Sequence, residues 1–266
     1  MRFGFNTFNH STLLGLPPTL PAQIRAAAKA GYDAVGPDYP SVKAHVDGGG
    51  RLEDLANEME RAGVACAELS PLGITANPQR SLASFEAILE AAEILRPESV
   101  QVVVDGSEDD PKIIDALRRA TNELGERGIG LAVEFLPTRV VNCIGQVLAL
   151  RTATAADVRV MVDTWHFFEG PDDFASLEAL PLDALGFVQF DDAVPKESDD
   201  LSAELMNRRA MPGEGVLDLR RFCDTLLAKG FDGLVSVEVL SAAWRNRPIE
   251  EFTERTLAAS KPYWER

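Results

Sequence analysis

The chain is poor in histidine, cysteine and positive charge. Its 266 residues include 3 His, 3 Cys and 26 Lys and Arg against 42 Asp and Glu, for a formal net charge of −16. That balance argues against a nucleic-acid partner, which needs a cationic face to displace phosphate counterions, and the acidic residues are spread along the whole sequence. Small polar molecules and cations are the partners it suits. Cys66, Cys143 and Cys223 lie far apart without a CxxC pair, so neither a disulfide framework nor a zinc–thiolate site is expected, and a reducing cytoplasm fits. No apolar run approaches the length of a membrane span. The opening MRFGFNTFNH also lacks the apolar run and small-residue cleavage site of a secretory leader. The expectation is a cytoplasmic protein with no membrane partner, and a homo-oligomer is left open.

What is present is a repeated phrase. Residues 22–36 read AQIRAAAKAGYDAVG: an amphipathic helix, a glycine, then a short apolar run. The phrase returns as LANEMERAGVACAELS from Leu55, LGERGIGLAVEFL from Leu124 and LLAKGFDGLVSVEVL from Leu226. Gly31, Gly63, Gly128 and Gly230 fall where a helix ends and the backbone turns left-handed. Gly31 and Gly63 stand 32 residues apart, about the length of one βα unit. Filling the gaps predicts strands at 2–7, 33–36, 64–70, 98–104, 129–135, 157–163, 185–190 and 233–239. Further helices are expected at 80–96, 110–127, 139–153, 172–180, 216–229 and 247–261. Runs such as SVQVVVD and VRVMVDT are continuous and apolar, as parallel strands covered on both faces require. No glycine fingerprint follows the first strand, where FNTFNHST stands, which argues against an open dinucleotide-binding sheet. With 45% hydrophobic residues and no linker, residues 1–266 read as a single α/β domain, a (β/α)8 TIM barrel.

In such barrels the active site forms at the carboxyl ends of the strands. Four polar residues interrupt apolar runs there, on four consecutive strands. Glu134 lies in LAVEFLP, Asp163 ends VRVMVDTWH, Gln189 lies in GFVQFDD and Glu238 in LVSVEVL. A buried charge costs several kcal/mol unless it is paired or binds a metal. Each carboxylate alone is explicable by an arginine or a backbone donor. Three together repel one another, and a divalent cation relieves that repulsion; the oxygen ligands suit Mg or Mn. His166, three residues after Asp163, falls just above the same place, as a packing residue or as a proton-transfer and substrate-binding group. His10 and His45 have no such company. The long polar segment after strand seven, DDAVPKESDDLSAELMNRRAMPGEGVLDL, is a candidate lid. Its adjacent Arg208 and Arg209 suit an anionic substrate group. PGEG reads as a tight turn.

Together these motifs resemble the xylose isomerase-like TIM-barrel superfamily, with its sugar phosphate isomerases and epimerases. The resemblance covers nearly the whole chain and rests on AVEF, DTWH, VQFDDA, RRAMPGEGVLDL and GFDGLVSVEV. It implies one divalent ion, Mn or Mg with Co as a third candidate, held by Glu134, Asp163, Gln189 and Glu238, and substrate contacts from His166 and Arg209. Many epimerases of the family carry His at the strand-seven position. Gln189 instead resembles the hydroxypyruvate isomerases and bacterial 3-dehydroshikimate dehydratases. Strand two departs from the pattern, with Gly36 where relatives often carry Glu. The histidine-rich three-zinc endonuclease branch is at odds with three histidines and an acidic balance. The implied function is isomerisation or epimerisation of a small polyhydroxy carbonyl compound, a sugar or keto-acid, through a metal-stabilised enolate. In it Glu134 and Glu238 exchange a proton on opposite faces of the carbon. The alternatives are a dehydratase or other lyase using His166 as acid or base, and a sugar-binding barrel without turnover.

Overall fold

The computed structural model describes residues 1–265. Its strands are β1 (Arg2–Asn6), β2 (Ala34–Gly36), β3 (Ala65–Cys66), β4 (Glu68–Thr75), β5 (Ser99–Asp105), β6 (Gly130–Glu134), β7 (Val158–Asp163), β8 (Leu185–Phe190), β9 (Asp192–Ala193), β10 (Arg209–Ala210) and β11 (Leu234–Val237). Nine of them form one sheet in the order β3-β2-β1-β11-β8-β7-β6-β5-β4, and every pairing within it is parallel. The two ends of that order, β3 and β4, are separated in the chain by Ala67 alone. They are two pieces of one stave, so the sheet closes on itself as a barrel of eight staves with helices outside. The third stave runs on to Thr75, beyond the predicted 64–70, with a register shift between Leu69 and Leu72.

The four repeat glycines have φ between 72° and 95°, the left-handed ending that their place in the phrase predicts. The observed helices follow the expected periodicity, with boundaries displaced by capping. Asn77 caps Pro78–Leu95 and Asp110 caps Pro111–Gly125. The helix expected from 139 starts only at Ile144, because residues 136–141 form a turn held by Leu136 N–H to Val141 O at 3.1 Å. No helix among the described residues is long and apolar enough to cross a membrane.

Strand periodicity explains how the polar residues reach the barrel interior. A small apolar layer of Ala34, Ala67, Ala132, Met161, Phe187 and Leu234 fills the lumen. Side chains two apart on a strand face the same way. Ala132 therefore aims Glu134 inward, Met161 aims Asp163, Phe187 aims Gln189, and Leu234 aims Ser236 and then Glu238. The apolar layer is the floor on which the polar residues stand.

The segment after β8 is anchored at its base. β9 and β10 pair antiparallel, and the Asp192 carboxylate accepts the backbone N–H groups of Gly213, Gly215 and Leu217, each at 3.0 Å. PGEG is thus more than a turn; it wraps a buried anion. A Cβ at Gly215 would lie 2.2 Å from Asp192 Oδ1 and 2.3 Å from the Ala193 carbonyl oxygen, neither of which can retreat. Gly215→Ala is expected to destabilise the fold by about 2–3 kcal/mol in urea unfolding. An unchanged midpoint would contradict this anchoring.

Candidate active site

A cavity of about 440 Å³ opens at the carboxyl end of the barrel, and Gln101, Glu134, His166 and Glu238 line it. The Glu134 carboxylate is held on both oxygens, with Gln101 Nε2 2.7 Å from Oε2 and His166 Nε2 2.8 Å from Oε1. Gln189 Nε2 donates to Gln101 Oε1 at 3.1 Å and lies 3.4 Å from Glu238 Oε1. Asp163 and Gln189 are buried beneath the cavity wall rather than on it. Asp163 ends β7 and caps the helix Thr164–Glu169, accepting the His166 backbone N–H at 2.9 Å. This strand-to-helix turn sets the spacing of the DTWH motif. Burial, reinforced by the neighbouring charges of Asp163 and Glu134, pushes the Glu238 carboxyl well above the usual range.

Arg209 is placed differently from its expected role as a substrate contact. Its side chain is fully buried, its Nη1 pairs with Asp163 Oδ1 at 3.0 Å and with Asp191 Oδ2, and its guanidinium lies 4.8 Å from the Trp165 ring centroid. It is absent from the cavity lining because two carboxylates below the mouth neutralise it. Arg208 turns away, pairing with Glu197 at 2.8 Å and Glu204 at 3.0 Å. In the segment expected to form a lid, a short helix, Leu201–Asn207, presents Ser202, Leu205 and Met206 to the cavity.

Two further polar residues point into the lumen, Gln101 and Glu68. Gln101 interrupts SVQVVVD as Glu134 interrupts its own strand, so the signal was there. Glu68 is fully buried in the lumen, accepting hydrogen bonds from Asn6 Nδ2 at 3.3 Å and from the Ser236 hydroxyl. A Cβ at Gly36 would lie 2.2 Å from the Glu68 carboxyl carbon. The missing side chain of strand two therefore leaves the space that a strand-three carboxyl fills. Burial raises the Glu68 pKa from its ordinary 4.5 to about 7. Below pH 4.5 the group is protonated in both folded and unfolded chains. Between pH 4.5 and 7 the unfolded chain releases its proton first, so stability falls as pH rises through that window. Glu68→Gln, which keeps an acceptor for both donors, is expected to gain about 3 kcal/mol over the parent at pH 8, measured with chelator present, and to gain little at pH 4. A pH-independent difference would contradict the raised pKa of buried Glu68.

Among the described residues, no group of three or more His, Cys, Asp or Glu side chains stands arranged to hold a metal ion. The reason is visible in the bonds: Glu134 is engaged on both oxygens, and Asp163 Oδ1 is taken by Arg209 and a backbone N–H. The donor set nevertheless fits a hard cation in kind. Asp163 Oδ2 and Gln189 Oε1 are buried acceptors without a hydrogen-bond partner, and Glu238 stands beside two like charges.

The closed parallel barrel defines the fold class, and comparison with known proteins agrees. Residues 24–260 match the xylose isomerase-like TIM barrel family, and the chain belongs to it. A 3-dehydroshikimate dehydratase of Pseudomonas putida is 26% identical over 249 residues, which is 90% of this chain and 39% of that protein. An inosose isomerase of Halalkalibacterium halodurans is 26% identical over 180 residues, 64% of this chain and 63% of that one. The chain thus spans well under half of the dehydratase and somewhat under two thirds of the isomerase. Among solved structures, the IolI protein with a zinc atom bound superimposes with a TM-score of 0.84 at 19% identity, covering 99% of this chain and 98% of its own. The named relatives are enzymes.

Proposed function

We propose that this protein moves a proton at the carbon beside the carbonyl of a small polyhydroxy compound, as an isomerase or epimerase, with one divalent cation held by Glu134, Asp163, Gln189 and Glu238. The observation that carries the reading is the meeting of Glu134, His166 and Glu238 on one cavity. When bound, a Mn, Mg or Co ion supplies Lewis acidity that lowers the cost of forming an enolate. Glu134, fixed by Gln101 and His166, has a set orientation. Glu238 has one weak contact, to Gln189 Nε2 at 3.4 Å, and is the freer carboxylate to take the proton. A second proton reaches the opposite face of the carbon from Glu134, which receives it across its 2.8 Å contact with His166 Nε2, and the proton taken by Glu238 passes to water between turnovers. Leu205 and Met206 of the lid helix cover the cavity and keep water from the reacting carbon.

The His166 ring favours a second reading. It lines the cavity beside Glu134, where it is placed to protonate a departing hydroxyl, and the 3-dehydroshikimate dehydratase relative supports elimination. One experiment separates the two: metal-loaded protein is given 3-dehydroshikimate and an inosose in turn, and products are resolved by NMR. A rearranged carbonyl supports isomerisation, and an aromatised product supports dehydration. In either case His166→Asn is expected to lower kcat by about 10²–10⁴-fold. No product from either compound, with no exchange of substrate hydrogen into D2O, would sink both readings.

A further inference from the structure

With Arg209 buried and Arg208 paired elsewhere, the cavity has one remaining cation. Among the described residues that line it, Arg139 is the only lysine or arginine. It stands five residues after Glu134, on the turn fastened by Leu136 N–H to Val141 O at 3.1 Å and Arg139 N–H to Leu136 O at 2.9 Å. The chain that places the candidate catalytic carboxylate thus also places this guanidinium. Among the described residues its ion-pair partner is Asp105, at 3.2 Å, at the end of β5 and on the same cavity. The side chains are 46% and 60% exposed, respectively. An ion pair so exposed contributes roughly 0–1 kcal/mol to stability, so the fold does not explain it. The neighbouring wall is apolar or uncharged: Phe8, Pro71, Leu136, Thr138, Leu205 and Met206.

We infer that Arg139 is a specificity residue that receives a carboxylate of the substrate, so the substrate class is a small polyhydroxy acid rather than a neutral polyol or sugar. This deepens the function proposed above and rests on that reading for its chemistry, but not for its binding. A planar carboxylate matches the guanidinium fork, and Asp105 holds the fork toward the cavity until the substrate anion shares it. The polyhydroxy end then points down to Glu134 and Glu238, and the apolar wall packs the carbon ring or chain between.

The test is calorimetric binding of two non-reacting probes, quinate and myo-inositol, to the protein with and without added Mn. Quinate is expected to bind at least tenfold tighter than inositol. Arg139→Gln should abolish that preference while leaving inositol affinity unchanged, and Arg139→Lys should keep part of it. Asp105→Asn, which removes the competing anion, should tighten quinate binding severalfold, an effect that a purely structural Asp105 would not give. Equal affinity for the two probes, binding of neither, or a preference that survives Arg139→Gln would overturn the inference. Quinate preference without turnover of any carbonyl substrate would leave the carboxylate site standing and count against the proposed chemistry instead.

Discussion

Replacing Glu238 by Gln is expected to lower kcat/KM by at least about 10³-fold, or about 4 kcal/mol of transition-state stabilisation, while making the metal-free protein more stable. The two effects have opposite signs for one reason. Glu238 is buried beside Asp163 and Glu134, and both its desolvation and their charges raise its pKa. A carboxyl whose folded pKa lies above its unfolded value costs stability as pH rises past the unfolded value, so the gain from Gln should be present at pH 8 and absent near pH 4. The same substitution removes a proposed anionic ligand that is also the proposed proton acceptor. Mn affinity is expected to fall at least tenfold in titration calorimetry. Retained turnover with unchanged Mn affinity would remove Glu238 from the site, and lost stability at pH 8 would contradict the unfavourable burial of its charge.

The second large effect is expected at Arg209. Arg209→Ala should destabilise the protein by about 3–5 kcal/mol, because Asp163 and Asp191 would be left buried without their shared cation. Arg208→Ala, which removes an exposed pair with Glu197 and the cation beside the buried Glu204, should cost less, about 1–2 kcal/mol, because two backbone N–H groups still bond the Glu204 carboxylate. Chemical unfolding of the two variants side by side measures the difference. Arg209 also fixes Asp163 Oδ1, leaving Oδ2 as the oxygen free for a cation. Arg209→Lys is therefore expected to weaken Mn binding even where it folds, since an ammonium cannot reproduce the planar fork. Equal stability losses for the two alanine variants would mean that the Asp163–Arg209–Asp191 contact contributes no more than a surface pair.

The barrel and the four interrupting residues were legible because a charged or amide group in an otherwise apolar run is conspicuous, and because period-two alternation then dictates its direction. Glu134, Asp163, Gln189 and Glu238 all point to the lumen for that reason. Glu68 was not legible. It sits in ELSP, where the apolar run breaks, and its inward aim depends on the interruption at Ala67 that divides the third stave. No local pattern announces that break. The seven-residue lid helix Leu201–Asn207 is likewise too short to form from propensity alone and depends on the Asp200 cap and on packing over the cavity. Arg209 illustrates the other limit: its neighbourhood to the site followed from chain position, but whether it faces substrate or carboxylate depends on Asp191. That residue lies 18 positions earlier in the chain, in a run of two aspartates whose partner reads as a loop.

A single divalent-cation site at the carboxyl end of the barrel is tested most directly by anomalous diffraction from crystals soaked in Mn. The expected result is a single strong Mn peak per chain in the lumen, with oxygens of Glu134, Asp163, Gln189 and Glu238 about 2.0–2.3 Å away. Coordination through the now-unpartnered Asp163 Oδ2 and Gln189 Oε1, with Arg209 still on Asp163 Oδ1, would match the bonding described here. No peak in the lumen, or a peak bound by other residues while these four keep their present hydrogen bonds, would contradict it.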